Sequence, residues 1–284
     1  MDILLLLAMN GLIWGLIIAL IALGLSIIFG LLDIINIAHG DFFMVGTMVA
    51  WATVQQTGSF WLAFLLAPLV GLALGAIIQR IVIQPIRNAA ALSIVATFGL
   101  SMILQESARL AFGAVPKRLL PPIEQTVSVF GLDYEVYRFF AAGLAIAALA
   151  GFFLYLNYTK TGTWMRAVRH DRDTAIAMGI PAERVYVLTF AIGFALAAFG
   201  GVVAAPITTV DFRGGVDILP LCFMAVIIGG LGNLWGTLAG GIVLGVAQAI
   251  GAKLDPGWQL LAGHIAFLLV LAVRPEGLFP RIRA

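Results

Sequence analysis

The sequence has one cysteine, three histidines and three lysines in 284 residues, and each scarcity removes a class of function. Cys222 alone can form neither an internal disulfide nor a cysteine metal cluster. His39, His170 and His264 stand without a second histidine at ligand spacing, and no His-Glu-x-x-His occurs, so no metal site is expected. None of Lys117, Lys160 and Lys253 follows glycine in a phosphate-binding loop, which excludes a Walker-type ATP site. Gly230-Leu231-Gly232 starts like a dinucleotide fingerprint, but Asn233, Leu234 and Trp235 follow where another glycine is required, and no strand precedes it. With no catalytic constellation, the chain does not read as an enzyme. Charge is scarce as well. At 11% charged residues and a net charge of +2, nothing points to nucleic acid. Asp2 stands where a secretory signal carries basic residues, and apolar sequence continues to Leu32, so a cleavable signal is not expected.

What is present is apolar. The chain is 62% hydrophobic with a mean hydropathy of +1.08, too apolar to present an ordinary wet surface. Runs long enough to cross about 30 Å of hydrocarbon occur near 9–31, 60–79, 92–112, 138–157, 185–206 and 258–273, with glycine-interrupted runs at 38–56, 217–230 and 234–252. Backbone polar groups at that depth must be satisfied within the segment, and the alternation of barrel strands is absent, so the runs read as helices. The expectation is one all-α integral membrane domain over 1–284 with eight or nine transmembrane helices.

Loop charge orients them. Arg80 and Arg87, the five basic residues of 158–184 and the tail residues Arg274, Arg281 and Arg283 make ten of the 16 basic groups. By the positive-inside rule these three segments are cytoplasmic, which puts the N-terminus outside and the C-terminus inside. The segment 113–137 is then the longest external connection. Its Pro116, Pro121, Pro122 and mixed charges suggest amphipathic stretches lying on the membrane surface. Glu106 and Arg109, three apart on one span, most simply pair with each other.

Two places break the helical pattern where a simple anchor would not. One is Asp33 to Asp41, the other Asp211 to Pro220, and each follows a long span and precedes a short one. Paired interruptions are the sequence trace of an inverted repeat whose discontinuous helices meet near the midplane. Polar groups at that depth face a bundle interior or a water path. Asn36, His39, Gly40, Asp41, Asp211, Asp217 and Pro220 are therefore candidates for a translocation path or gate; the plain alternative is two interfacial turns.

The loop 158–184 has soluble-helix signals of its own. Thr163 can cap a helix running to Met178, and Gly179 with Pro181 can stop it. Trp164, Val168, Ala175 and Met178 fall near one face while Arg166, Arg169, Arg172 and Asp173 keep the rest wet. The reading is a docking helix for a cytoplasmic protein, with Trp164, Val168 and Ala175 buried in the partner and Arg166 and Arg169 at the rim; the alternative is a solvated loop that only sets topology. Gly232, Gly236 and Gly240, four apart, and likewise Gly241 and Gly245, are spaced to bring helices into close contact in lipid.

Several blocks together resemble the permease subunits of ABC importers for branched-chain amino acids, of the LivH type. Gly24-Leu25 through Phe29-Gly30 into Asn36-Ile37-Ala38-His39-Gly40-Asp41-Phe42-Phe43-Met44 is similar to that family's "GL…FG…INFAHGEFFMLG" segment, with Asp41 at a position where glutamate is common. Arg166-Ala167, Asp171, Ala175, Met178-Gly179-Ile180 and Arg184-Val185 resemble its cytoplasmic "RA…D…A…GI…RV" loop. Ala225 to Gly241 resembles its glycine-rich block. The resemblance implies a bacterial inner-membrane protein working with a homologous second permease, a periplasmic substrate-binding protein and two ATP-binding subunits docked on the cytoplasmic loop, which would include Asp171 and Gly179. ATP and Mg would bind those partners and not this chain. Related permeases for urea or short amides share the same blocks, and an ion-coupled secondary transporter is the alternative from another class.

Overall fold

The structure is a computed structural model that describes residues 2–86, 89–129, 132–255 and 257–279. Arg87, Arg281 and Arg283, used above for orientation, lie outside the described residues.

All nine apolar runs are helices. In chain order the elements are α1 (Asp2–Leu32), α2 (His39–Thr57), α3 (Ala63–Ile78), α4 (Ala90–Phe112), the strands β1 (Thr126–Val129) and β2 (Leu132–Glu135), and α5 (Val136–Tyr158). Then come α6 (Lys160–His170), α7 (Arg172–Ala177), α8 (Ala182–Ala204), α9 (Gly214–Gly229), α10 (Leu234–Leu254) and α11 (Trp258–Val273). Among the described residues, six helical segments are long and apolar enough to cross a membrane: Leu6–Leu32, Ala63–Ile86, Ala91–Phe112, Val136–Tyr158, Ala182–Ala204 and Leu234–Leu254. The helices α9 and α11 are apolar but only 16 residues long, about 24 Å each at 1.5 Å per residue and short of a full crossing.

Glycine and alanine decide the packing, because in lipid apolar burial gives helices no reason to associate and close van der Waals contact must. The central helix is α1, buried all round from Leu16 to Ile28. Its Gly11 and Gly15 lie against Gly245 and Gly241 of α10, and its Gly24 lies against Gly193 of α8. On α10 the two glycine rows serve different neighbours. Gly236 and Gly240 meet Gly229 and Ala225 of α9, while Gly241 and Gly245 meet α1. Gly232 departs from the expected row: it lies before α10 in a turn, at φ +77°, where a side chain is disfavoured. It serves the turn, and the close helix contact begins at Gly236.

The segment 113–137 also departs from expectation. Instead of amphipathic surface stretches, β1 and β2 form an antiparallel hairpin with Thr126 opposite Glu135 and Val127 opposite Tyr134. Tyr134 donates to Asn10 Oδ1 at 2.6 Å, which ties the hairpin to the start of α1. Glu106 and Arg109 do pair, with Arg109 Nε 2.9 Å from Glu106 Oε2.

Candidate transport site

The chain leaves α1 at Asp33, whose φ of +52° makes it the one non-glycine with positive φ among the described residues. It closes the helix through its N–H to Phe29 O at 2.9 Å. Ile34 to Ala38 then return along the bundle, and α2 starts at His39, whose Nε2 donates to Ile21 O at 2.9 Å. Ile21 lies near the middle of the α1 span, so α2 begins at the middle of the bundle rather than at its edge. Asn36 and His39 are 0% exposed and Asp41 is 1% exposed.

Their hydrogen bonds are partial. Asn36 Oδ1 accepts from Ala38 N–H at 3.1 Å, and Asp41 Oδ1 accepts from Gln105 Nε2 at 3.0 Å. Asn36 Nδ2, His39 Nδ1 and Asp41 Oδ2 are buried without a partner. An unpartnered buried polar atom costs roughly 1–3 kcal/mol, so three in one stretch mark a place that is not built for stability alone.

A row of polar residues on α4 covers this break, and the sequence reading passed over it. Ser93, Thr97, Ser101 and Gln105 recur every four residues, which places them on one helix face. Thr97 Oγ1 accepts from Ile37 N–H at 3.2 Å, and Gln105 also donates to Ser101 Oγ at 2.8 Å. The spacing of four inside an apolar run was the available signal.

The second break begins after α8. Val210 pairs with Lys117 of the segment between α4 and β1 through backbone bonds of 2.8 and 2.9 Å, and Lys117 Nζ sits 3.4 Å above the Trp51 ring. From there α9 starts at Gly214, and its first turn meets the first turn of α2. Gly40 faces the Gly215 carbonyl directly, and a methyl group added at Gly215 would lie 2.6 Å from Asp41 Oδ1. Two short helices therefore meet N-terminus to N-terminus, and their backbones approach so closely that only glycine fits. The candidate residues do not form one polar cluster, however. Asn36, His39 and Asp41 are sealed on one side of this contact. Asp211 and Asp217 border a separate cavity of about 190 Å³ on the other, and Pro220 is exposed on α9.

The loop 158–184 differs from the single helix expected. Thr159, not Thr163, caps its start by accepting from Gly162 N–H at 3.1 Å. At Asp171 the chain is extended (φ −150°, ψ 111°), and Asp171 Oδ1 accepts from Asp173 N–H and Thr174 N–H at 3.0 Å each, starting a second helix. These bonds, led by the Thr174 hydroxyl, hold the Asp171 carboxyl below the ordinary aspartate range. A short polar side chain competes for backbone bonds better as a cap than inside a helix, which is why the helix divides here. Gly179 takes the left-handed stop at φ +83°.

The apolar face expected to dock is largely used within the chain. Val168 is 4% and Ala175 is 3% exposed, Trp164 is half-buried, and Arg169 reaches Gly232 O at the turn before α10 instead of standing at a rim. Arg166 is tied to Leu156 O. What the loop leaves outward is the end of α7, where Ile176 is 44% and Met178 is 80% exposed.

Residues 7–273 match the family described as branched-chain amino acid transport system / permease component. The chain belongs to this permease family. The permease is 30% identical to the high-affinity branched-chain amino acid transport system permease protein LivH of Salmonella typhimurium, over 96% of this chain and 94% of that one. It is 23% identical to LivM of the same organism, over 93% of this chain and 68% of that one. Among solved structures, PsaBC from Streptococcus pneumoniae in complex with Fab aligns with a TM-score of 0.52 at 15% identity, covering 94% of the permease and 91% of that chain. That likeness concerns the fold alone. Among the described residues of the permease, no group of three His, Cys, Asp or Glu side chains is placed to hold a metal ion.

Proposed function

We propose that the permease moves branched-chain amino acids inward across the bacterial inner membrane, as one of two permease subunits driven by two ATP-binding subunits that carry ATP and Mg, with substrate delivered by a periplasmic binding protein. The observation that carries this reading is the meeting of α2 and α9 at their N-termini, inside a chain of this permease family. Two helices that start against each other inside the bundle give an alternating-access protein a contact that can part without unravelling a continuous span. In this reading Asn36, His39, Gly40 and Asp41 form the gate, the Ser93 to Gln105 row of α4 covers it, and Asp211, Asp217 and Pro220 flank the path. Basic loops place the N-terminus in the periplasm and the C-terminus in the cytoplasm. Ile176 and Met178 at the end of α7 form the docking contact with an ATP-binding subunit, positioned by the Asp171 cap and the Gly179 stop, with Arg166 beside it.

The test is reconstitution with candidate ATP-binding subunits, a second permease and a binding protein in liposomes. ATP-dependent uptake of labelled leucine, with none of labelled urea, supports the reading. Uptake of urea alone would reassign the substrate, and leucine uptake driven by an ion gradient without ATP would replace the mechanism.

A further inference from the structure

A second cavity, of about 670 Å³, opens beside the loop 158–184, and the transport reading does not use it. Three membrane spans stop around it. The last turns of α1 contribute Ile27 and Leu31, the last turns of α5 contribute Phe153 and Leu156, and the first turn of α10 contributes Leu234 and Trp235. The corresponding spans are Leu6–Leu32, Val136–Tyr158 and Leu234–Leu254, so the cavity lies where hydrocarbon gives way to water. Aromatic side chains mark the same boundary. Trp235 is 63% exposed and stacks on Phe153 with ring centroids 4.2 Å apart, and Tyr158 at the end of α5 is 83% exposed. Tryptophan and tyrosine collect at that depth because one end of each is apolar and the other is wet.

Beside this apolar wall stand two cations. Arg166 and Arg169 of α6 both border the cavity, and no Asp or Glu is among the described residues that line it. Arg169 is half-buried and reaches Gly232 O. Arg166 is exposed, and its hydrogen bonds go to neutral oxygens: Leu156 O, Asn157 Oδ1 at 3.5 Å and Thr163 Oγ1 at 3.3 Å. These use three of its five guanidinium N–H groups, which leaves two donors and a full positive charge for an oxyanion. The sequence after Phe279 brings two more arginines, Arg281 and Arg283, and no acidic side chain.

An anionic group on an aliphatic body satisfies both surfaces at once. Free phosphate would meet the arginines and leave the apolar wall wet, and an acyl chain alone would leave the charge unmet. A zwitterionic headgroup would bring its own ammonium group toward the arginines. Basic pockets between membrane-spanning helices recognise anionic lipid headgroups in this way.

We propose that this cavity binds an anionic phospholipid of the adjoining leaflet, with its phosphate on Arg166 and Arg169 and its acyl chains along Ile27, Leu31, Phe153 and Trp235. One lipid so placed touches α1, α5, α6 and α10 and fastens the loop 158–184 to the bundle. The proposal needs only that the chain spans a membrane and does not depend on which substrate it moves.

The experiment uses the full chain in detergent micelles, titrated with dioleoyl phosphatidylglycerol or dioleoyl phosphatidylcholine and read by native mass spectrometry. One phosphatidylglycerol should be retained at least tenfold more tightly than phosphatidylcholine. Arg166→Gln should remove most of that preference and Arg166→Lys should keep it, while Arg172→Gln, which deletes the same charge from α7 outside the cavity, should leave it unchanged. Trp235→Ala, at an exposed position, tests the apolar wall and should weaken phosphatidylglycerol at least threefold. Equal retention of the two lipids by the unaltered chain would overturn the inference, as would equal losses in Arg166→Gln and Arg172→Gln. Displacement of phosphatidylglycerol by inorganic phosphate at constant ionic strength would assign the cavity to a free oxyanion and overturn the lipid. Its release when ATP-binding subunits join would give the cavity to them and overturn it as well. Failure of leucine uptake in liposomes would overturn the transport reading and leave this site standing.

Discussion

The two breaks are built from similar residues and end in opposite conditions. At the first, Asn36, His39 and Asp41 are withdrawn from every surface and keep three polar atoms unpartnered. At the second, Asp211 and Asp217 remain accessible and border an open cavity, while the chain just before Asp211 is fastened to the segment between α4 and β1 by the Lys117–Val210 bridge. Between them lies the contact of Gly40 with Gly215. A polar group sealed without partners favours any rearrangement that supplies one, whereas a polar group already at a surface does not. The first break therefore carries a cost that a rearrangement could relieve, and the second does not.

The largest effect should come from filling the contact between them. Gly215→Val places carbon against the Asp41 backbone and should lower unfolding stability by about 3 kcal/mol or more, since overpacking a close backbone contact has no flexible neighbour to absorb it. Gly214→Ala is one residue away with its nearest neighbour at 3.8 Å, and should change stability by less than about 0.5 kcal/mol. Equal effects in a thermal unfolding assay would mean that the helices do not meet as described.

Next is Gln105→Leu. It removes the Gln105 donor to Asp41 inside a sealed site, at a cost of roughly 1–3 kcal/mol, while Asp217→Asn at the open break should be nearly neutral in the same assay. A coupling variant at the end of α7 sharpens the comparison. Ile176→Asp or Met178→Asp should reduce ATP-driven uptake at least tenfold without changing thermal unfolding, because both side chains are outward. Ala175→Arg should instead disrupt the loop itself, because Ala175 is buried in the chain. If Met178→Asp transported normally, the docking surface lies elsewhere.

The smallest effect concerns pH. The Asp171 carboxyl is held low by its capping bonds, so its contribution is fully present above the ordinary aspartate value and is lost as pH falls through the depressed one. Hydrogen exchange of amides 172–177, corrected for intrinsic rate, should match at pH 7 and pH 5 and rise only below about pH 4. A rise between pH 7 and pH 5 would contradict the cap.

Much of this was legible in the sequence because hydrophobic length is a strong signal. The nine apolar helices, the existence of two breaks, the Gly179 stop and the glycine contacts from Gly236 onward followed from run length, polar interruption and spacing by four, but His39 to Asp41 and Gly214 to Pro220, read as parts of the breaks, form the first turns of α2 and α9. What escaped was carried by short polar residues whose role depends on a neighbour. The Ser93 to Gln105 row read as part of a plain span, although its period was visible. Asp171 was counted as a helix residue when its strength is in capping. Gln248 is a lone amide in a long apolar helix, and only the facing Trp14 shows which of its atoms is left over. Gln79, fully buried with both amide atoms unpartnered in a π-turn that continues α3, escaped for the same reason.

The central claim is that the first break is sealed at rest and opens when ATP binds the partners. Asn36→Cys in a Cys222→Ala background measures it directly, with a membrane-impermeant thiol reagent applied to the reconstituted complex from each side. The account predicts negligible labelling without nucleotide and at least a tenfold faster rate with ATP trapped. Fast labelling in both states, or none in either, would contradict it.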